Sequence, residues 1–261
     1  MKNIRVIARL DIKVPNLIKP MNLEGVRVVG DPREFARRYY ERGIDEIIYM
    51  DVVATLYGRN SLNSLIAETA KAIFVPITVG GGIRSLEDVD SILRAGADKV
   101  AINTAAIQSP AFIAEVAKRF GSQSTVLSIE AKQKGDRQWE VYTDGGRNKT
   151  GRDVVEWAKE AESLGAGEIL LTSVDREGLC QGFDIELVKA VTQVVSIPVI
   201  ASGGMGSLSD ASDVIQQGDA DGVAIAHRFH YNVLSVMDVK HHLIQQGYLV
   251  REVAYENSTH Y

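Results

Sequence analysis

The 261-residue chain has one cysteine, Cys180. A single cysteine closes no internal disulfide and builds no thiolate metal cluster. Basic residues are the minority, 29 against 34 acidic ones, a net charge of −5. That balance excludes the cationic surface that nucleic acid or an anionic membrane selects. No apolar stretch reaches the roughly 18 residues of a membrane helix. The opening segment, MKNIRVIARLDIK, interrupts its apolar residues with charges and does not read as a secretory signal. The expected location is the cytoplasm. Aromatics are sparse at 7%, yet hydrophobic residues reach 45% and charged residues 24%. This is an ordinary globular composition, with ample material for a core.

What is present is alternation. Short β-branched runs predict strands near Arg5–Asp11, Glu46–Asp51, Pro76–Val79, Lys99–Ile102, Thr125–Glu130, Glu168–Thr172, Pro198–Ala201 and Gly222–Ile225. Helical patterns follow at 32–43, 61–72, 85–96, 109–120, 152–165, 184–194, 207–217 and 233–247. In the third of these, Leu86, Val89, Ile92 and Leu93 keep one buried face, and Gly96 ends it. Eight β-then-α units of about 33 residues predict an α/β fold, a single closed (β/α)8 TIM barrel. An open doubly wound sheet usually carries GxGxxG after its first strand, and none is present. Residues 1–261 are read as one domain, ending in a polar tail over 251–261. Two loops are long, Lys13–Gly30 and Ala131–Thr150, the second with a hairpin expected around Lys134–Gly135–Asp136. Long loops on the C-terminal face of a barrel usually cover a site.

The chain repeats itself at half length, with halves of about 1–122 and 123–250. VPITVGGGIRSLEDVDSILRAGADKVAIN, from Val75, matches IPVIASGGMGSLSDASDVIQQGDADGVAIA, from Ile197. Gly81 and Gly82 align with Gly203 and Gly204, and Glu46 with Glu168, at an offset of 122. Two similar four-unit halves place duplicated ligand sites opposite each other. The glycine turns let backbone approach a phosphate, and the following helix start offers free N–H groups. One such turn is common. Two in register imply an elongated substrate with a phosphate at each end, held beyond strands three and four and beyond strands seven and eight.

Asp11 and Glu130 end opposed strands and face the mouth between those turns. Paired acids in unequal environments suit general acid–base work. Solvated acids beside Lys13 and Lys132 are the plainer alternative. At the other end Arg5, Glu46, Lys99 and Glu168 start four strands and can close a ring of ion pairs. Taken alone, that ring reads as a stability layer. Of the five histidines, His227 and His230 are three apart but lack a third ligand at metal-binding spacing, so no metal and no cofactor are expected. Cys180 has no obvious base beside it. Trp139 is read in the fifth loop, and Trp157 as core.

Several motifs carry a resemblance: RVIARLDIK, GDPREFARRYYERGIDE, VGGGIRSLEDV, GADKVAINTAA, FGSQ, GAGEILLTSVDREG and IASGGMG. From Arg5 to Arg251 the chain resembles the HisF family, the cyclase subunits of imidazole glycerol phosphate synthase. The resemblance implies a barrel enzyme that takes ammonia from a glutaminase partner docked at its N-terminal face. Such an enzyme cleaves and cyclises a bis-phosphorylated ribulosyl substrate. Asp11 then resembles the first catalytic aspartate, and Lys19 a first-loop lysine near the substrate. Gly82, Asn103 and Thr104 resemble one phosphate site; Gly178, Gly203, Gly204 and Ala226 resemble the other. Asp51, Thr172 and Ser202 resemble polar groups around the reacting part. Arg5, Glu46, Lys99 and Glu168 match a gate at the ammonia entrance, and Asp98 a residue facing the glutaminase. On this resemblance the ring is read as a gate.

The departures fall at the substrate side. Glu130 and Glu177 stand where the family has aspartate, and Arg9 where it has a small residue. His227 and Arg228 replace small or apolar residues at the second phosphate site, and VPNLIKPMN replaces the usual first loop. Strand alternation points Arg5, Ile7, Arg9 and Asp11 inward. A buried guanidinium needs anions, so Arg9 is expected to pair with Asp11, Glu130 or both, to hold them ionised, and to lie across the ammonia route. Three other readings stand beside the cyclase. One is a HisF-like subunit supplying ammonia for an acetamidino group on a nucleotide-activated sugar in surface-polysaccharide synthesis, with a separate sugar amidotransferase. Another is a scaffold that activates a glutaminase. The last is the sister isomerase, which needs no ammonia and which the four-residue gate argues against.

Overall fold

The computed structural model describes residues 2–21, 24–52, 54 and 62–252. Eight parallel strands form a closed barrel: β1 Asn3–Lys13, β2 Glu46–Asp51, β3 Ile77–Gly80, β4 Lys99–Ile102, β5 Thr125–Gly135, β6 Glu168–Ser173, β7 Val199–Ser202 and β8 Gly222–Ile225. Each pairs with the next, and β8 pairs with β1 to close the ring. The two strands expected to begin at Pro76 and Pro198 begin one residue later. Proline has no N–H for the ladder; each offers only its carbonyl, which accepts the N–H of Ile47 or Ile169.

The outer helices are Pro32–Glu41, Asn63–Ala72, Leu86–Arg94, Ala111–Phe120, Val154–Ser163, Ile185–Thr192, Leu208–Gly218 and Val236–Gln245. Most are shorter than their periodic patterns because caps end them. In the first half Arg84 and Ser85 donate their N–H groups to Asp88. In the second half Gly206 and Ser207 do the same to Asp210. These bonds satisfy backbone donors at the two helix starts.

Both long loops hold structure that the sequence reading lacked. The first is corrected from loop to hairpin: Asn16–Met21 pairs antiparallel with β1, and Glu24–Gly30 pairs with Asn16–Met21. The second contains the expected turn, then Gln138–Thr143 and a further strand, Asn148–Asp153. Trp139 therefore lies in a strand, not a loop; it is buried, and its indole N–H donates to Asp184 at 3.2 Å. Ser61, most of the polar tail and His260 lie outside the described residues.

Strand alternation divides the core in two. One face packs against the helices and joins residues such as Val6, Ala8, Leu10, Tyr49, Val79 and Leu171 to Trp157 and Val214. The other fills the barrel with Ile7, Ile48, Met50, Ala101, Val126, Leu170, Ile200 and Ala224. That apolar plug separates two charged layers, one at each end. No helix among the described residues is long and apolar enough to cross a membrane.

Candidate active site

At the N-terminal end, Arg5 reaches Glu46 at 3.0 Å and Glu168 at 2.5 Å. Lys99 reaches the same two carboxylates at 3.0 and 2.8 Å. The expected ring is therefore closed. Burial opposes the charge on Arg5, but Glu168 and Glu46 outweigh it and raise its pKa. Thr78, which the sequence reading missed, adds its hydroxyl to Glu46 at 2.6 Å. It pairs in register with Lys99, a placement across strands that the amino-acid order alone does not give. Outside the ring lies a cavity of about 430 Å3, lined by Lys2, Arg5, Lys99, Gln123, Glu168 and Asp221 among others. Asp98 is exposed nearby, and one of its carboxylate oxygens accepts the N–H of Ile77 at 2.8 Å.

At the C-terminal end the two glycine turns have matching backbones. Gly81 and Gly82 have φ of 98° and 72°; Gly203 and Gly204 have 90° and 112°. A Cβ at Gly81 would sit 2.2 Å from the Asp51 carbonyl, and one at Gly204 2.1 Å from the Gly182 carbonyl. Only glycine fits either place. The strands that follow end alike as well. Asn103 (φ −124°, ψ −84°) and Ala226 (φ −122°, ψ −73°) precede the one-turn helices Thr104–Gln108 and His227–His230, neither of which the sequence pattern indicated. The Asn103 amide donates to the Tyr142 carbonyl at 3.1 Å, and its Oδ1 is buried without a partner. Thr104 starts its helix, half-buried. On the other side, Gly178, Gly203, Gly204, Ala226 and His227 surround a small cavity of about 20 Å3, with Arg9, Glu177, Cys180 and Ser202 in its wall. Burial, then Lys19 and Arg228, push the His227 imidazole down, so it adds no charge near neutrality. Burial pushes the Cys180 thiol up.

Between the turns lie the buried polar groups. Thr172 is in register with Glu130 on one side and Ser202 on the other, which puts β5, β6 and β7 side chains at one level. Arg9, only 3% exposed, enters from β1 beneath them. Its Nε donates to Asp11 at 3.0 Å, and its Nη1 to Thr172 at 2.8 Å and Ser202 at 3.1 Å. Lys19, carried by the first-loop hairpin, is buried and pairs with Glu177, with Asp11 at 3.8 Å. Asp51 is buried at the end of β2.

Burial alone would raise the Asp11 carboxyl; the Arg9 guanidinium and then Lys19 outweigh it and hold the pKa below the ordinary value. Glu130 behaves differently, and of the two partners expected for Arg9 only Asp11 is bonded to it. No hydrogen bond joins Arg9 to Glu130. The Glu130 Oε2 accepts the Gly146 N–H at 2.7 Å, and burial pushes its pKa up to about 7 despite that bond and the Arg9 charge. Arg9 thus keeps one acid ionised, not two. Gly146 was missed: it belongs to the Gly145–Gly146 pair in the fifth loop, both at positive φ. His230 was set aside as a metal ligand and is instead a buried neighbour of this layer, with Nδ1 at 2.7 Å from the Tyr39 hydroxyl. Lys132 lies over the Tyr142 ring, not beside Glu130 as a partner.

A family model described as a histidine biosynthesis protein matches residues 5–235. The chain is 63% identical to the imidazole glycerol phosphate synthase subunit HisF of Legionella pneumophila over 210 residues, 80% of this chain and 99% of that protein. It is 48% identical to the subunit of the same name from Bifidobacterium longum strain DJO10A over 253 residues, 95% and 98% of the two chains.

Proposed function

The chain belongs to the histidine biosynthesis protein family, and we propose that it is the HisF-type cyclase subunit of imidazole glycerol phosphate synthase. As a single-domain enzyme in the cytoplasm, it adds ammonia from a glutaminase partner to a bis-phosphorylated ribulosyl aminoimidazole substrate. The observation that carries this reading is the pair of glycine turns with matching backbones on opposite sides of a mouth that contains Asp11 and Glu130. Gly81, Gly82, Asn103 and Thr104 hold one phosphate; Gly178, Gly203, Gly204 and Ala226 hold the other, with Lys19, Asp51, Thr172, Ser202 and His227 around the substrate. Asp11 and Glu130 act on the reacting part. The glutaminase docks over the cavity outside the Arg5–Glu46–Lys99–Glu168 ring, with Asp98 at its edge, and ammonia enters there. The test is turnover of the bis-phosphorylated substrate with an ammonium salt and no partner. Formation of imidazole glycerol phosphate supports the reading, and its absence at saturating free ammonia overturns it.

One observation favours a second acceptor. Arg9 takes up Asp11, Thr172 and Ser202, three groups that the first reading places around the substrate. Under that reading the ammonia goes to a nucleotide-activated sugar through a separate sugar amidotransferase. Failure of the ammonium assay, with glutaminase activation retained, selects it or the pure scaffold. Amidination of the sugar in the reconstituted three-protein mixture then separates those two.

A further inference from the structure

The mouth treats its two acids unequally, and the inequality is built from contacts. The Arg9 guanidinium is fixed by hydrogen bonds to side chains of three strands, through Asp11, Thr172 and Ser202. None of these bonds goes to Glu130, which Arg9 influences only through its charge. The charged and titratable groups facing Asp11 are Arg9 on its own strand, Lys19 from the hairpin at 3.8 Å, His230 from the one-turn helix after β8 and, from β5, Glu130. Burial pushes His230 down to about 3, so it is neutral and Asp11 faces two cations. The groups facing Glu130 are the Gly146 N–H, the more distant Arg9, and two further carboxyls, Asp144 and Asp11. Asp11 is fully buried, and its Oδ2 has no hydrogen-bond partner. A buried acceptor without a donor is costly, and a substrate N–H or O–H would satisfy it.

We propose that Arg9 is a positioning residue that fixes Asp11 as a permanent anion and leaves Glu130 as the carboxyl that carries the transferable proton. The proposal rests on the cyclase reading and assigns different roles to its two acids. Ammonia that bonds to carbon becomes a cationic nitrogen with a proton to lose, and the Glu130 carboxylate takes that proton. Expulsion of an oxygen or nitrogen leaving group needs a proton, and the Glu130 carboxyl gives it back. The residue ends the cycle as it began. Asp11 exchanges no proton: its Oδ2 accepts a substrate hydrogen bond and stabilises the positive charge that develops beside it. Arg9 keeps its own protons throughout, as a guanidinium does.

The test is a titration of the full-length protein with 13C-labelled carboxyl groups, on wild type, Arg9→Lys, Arg9→Met and Glu130→Gln. It is joined to kcat/KM against pH with ammonium salt, expressed per free ammonia. In wild type one buried carboxyl should titrate near neutral pH and vanish in Glu130→Gln, while Asp11 stays flat between about pH 5 and about pH 8. In Arg9→Met, Asp11 should enter that window, the pH profile should gain a second limb, and kcat should fall at least about tenfold with a smaller change in KM. Arg9→Lys should keep Asp11 flat. An Asp11 signal that titrates above about pH 6 in wild type overturns the proposal, as does an Arg9→Met profile superimposable on wild type. If Arg9→Met does not fold, the wild-type and Arg9→Lys titrations decide alone. The nuclear resonance arm needs no substrate. A failure of turnover in wild type therefore sinks the cyclase reading and leaves the assignment of Arg9 to be judged separately.

Discussion

At the N-terminal end of the barrel, each of two carboxylates accepts from both of two cations, and Thr78 adds a further donor. At the C-terminal end, Arg9 and Lys19 face Asp11, Glu130 and Glu177, and the contacts are shared out unevenly. Asp11 keeps an oxygen with no hydrogen-bond partner, with Lys19 only at 3.8 Å, and Glu130 has a backbone N–H but no ion pair among the described residues. Buried charge that is fully paired gives rigidity and register. Buried charge left incomplete costs stability, and it is what a reaction can use. The same strands thus build a balanced layer at one end and an unbalanced one at the other, with an apolar plug between them.

The largest expected effect comes from breaking the unbalanced end. Asp11→Ala should lower kcat with ammonium by about 10²- to 10⁴-fold, the usual range for a charged group beside the reacting atoms. It also strands the Arg9 guanidinium, so the denaturant midpoint should fall by the equivalent of about 3 kcal/mol. Glu46→Ala breaks the balanced end. It leaves Arg5 and Lys99 to share Glu168, and unfolding should become easier by about 2 to 3 kcal/mol. Its loss of glutamine-driven turnover should exceed its loss of ammonium-driven turnover when both are measured in the complex with the glutaminase. Equal losses would show that the ring serves stability alone.

The two ends also differ in what pH does to them. The Glu130 pKa is raised in the folded chain, to about 7, so the folded state binds a proton that the unfolded state releases. Its stabilising contribution is therefore fully present below the ordinary glutamate pKa and is lost as pH rises toward 7, by about 3 kcal/mol at most. The Asp11 pKa is lowered, so its contribution has the opposite sign: it is present above the ordinary aspartate value and lost in acid. Urea midpoints at about pH 5 and about pH 8 should show wild type losing stability across that interval relative to Glu130→Gln, which has no proton to lose. A wild type that runs parallel to the variant would contradict the raised pKa.

Much of this layout was legible in the amino-acid order. Strand alternation placed Arg5, Ile7, Arg9 and Asp11 inside, and the half-length repeat placed both glycine turns. The ring followed from charges at four strand starts, since each such position points inward by the same alternation. What escaped depends on long-range placement. Which acid Arg9 would meet could not be read from alternation, because Asp11 and Glu130 both face the mouth; hydrogen bonds to Thr172 and Ser202 decide it. The first-loop hairpin escaped because Pro15 and Pro20 break the strand pattern, although Lys19 between them reaches the mouth. Gly146 escaped because a backbone N–H carries no residue-type signal. The one-turn helices after β4 and β8 are too short to show a period.

The smallest expected effect concerns Asp98, at the rim of the balanced end. Its carboxylate accepts the Ile77 N–H, and Asp45 and Asp221 do the same for Val6 and Val199. Asp98 and Asp221 hold the first residue of a neighbouring strand and Asp45 holds Val6 within β1, which argues that Asp98 belongs to the barrel before it belongs to a partner. Asp98→Ala should cost about 1 kcal/mol in denaturant unfolding, the worth of one such hydrogen bond. Asp98→Asn keeps an oxygen that can accept from Ile77 and should cost well under half of that. The pair of variants separates the bond from the charge. If the glutaminase reads the charge, Asp98→Asn should weaken glutamine-driven turnover as much as Asp98→Ala does, at nearly wild-type stability. If instead coupling follows stability across the two variants, Asp98 acts only as a strand anchor, and the proposed docking face has only the ring and the cavity beside it to support it.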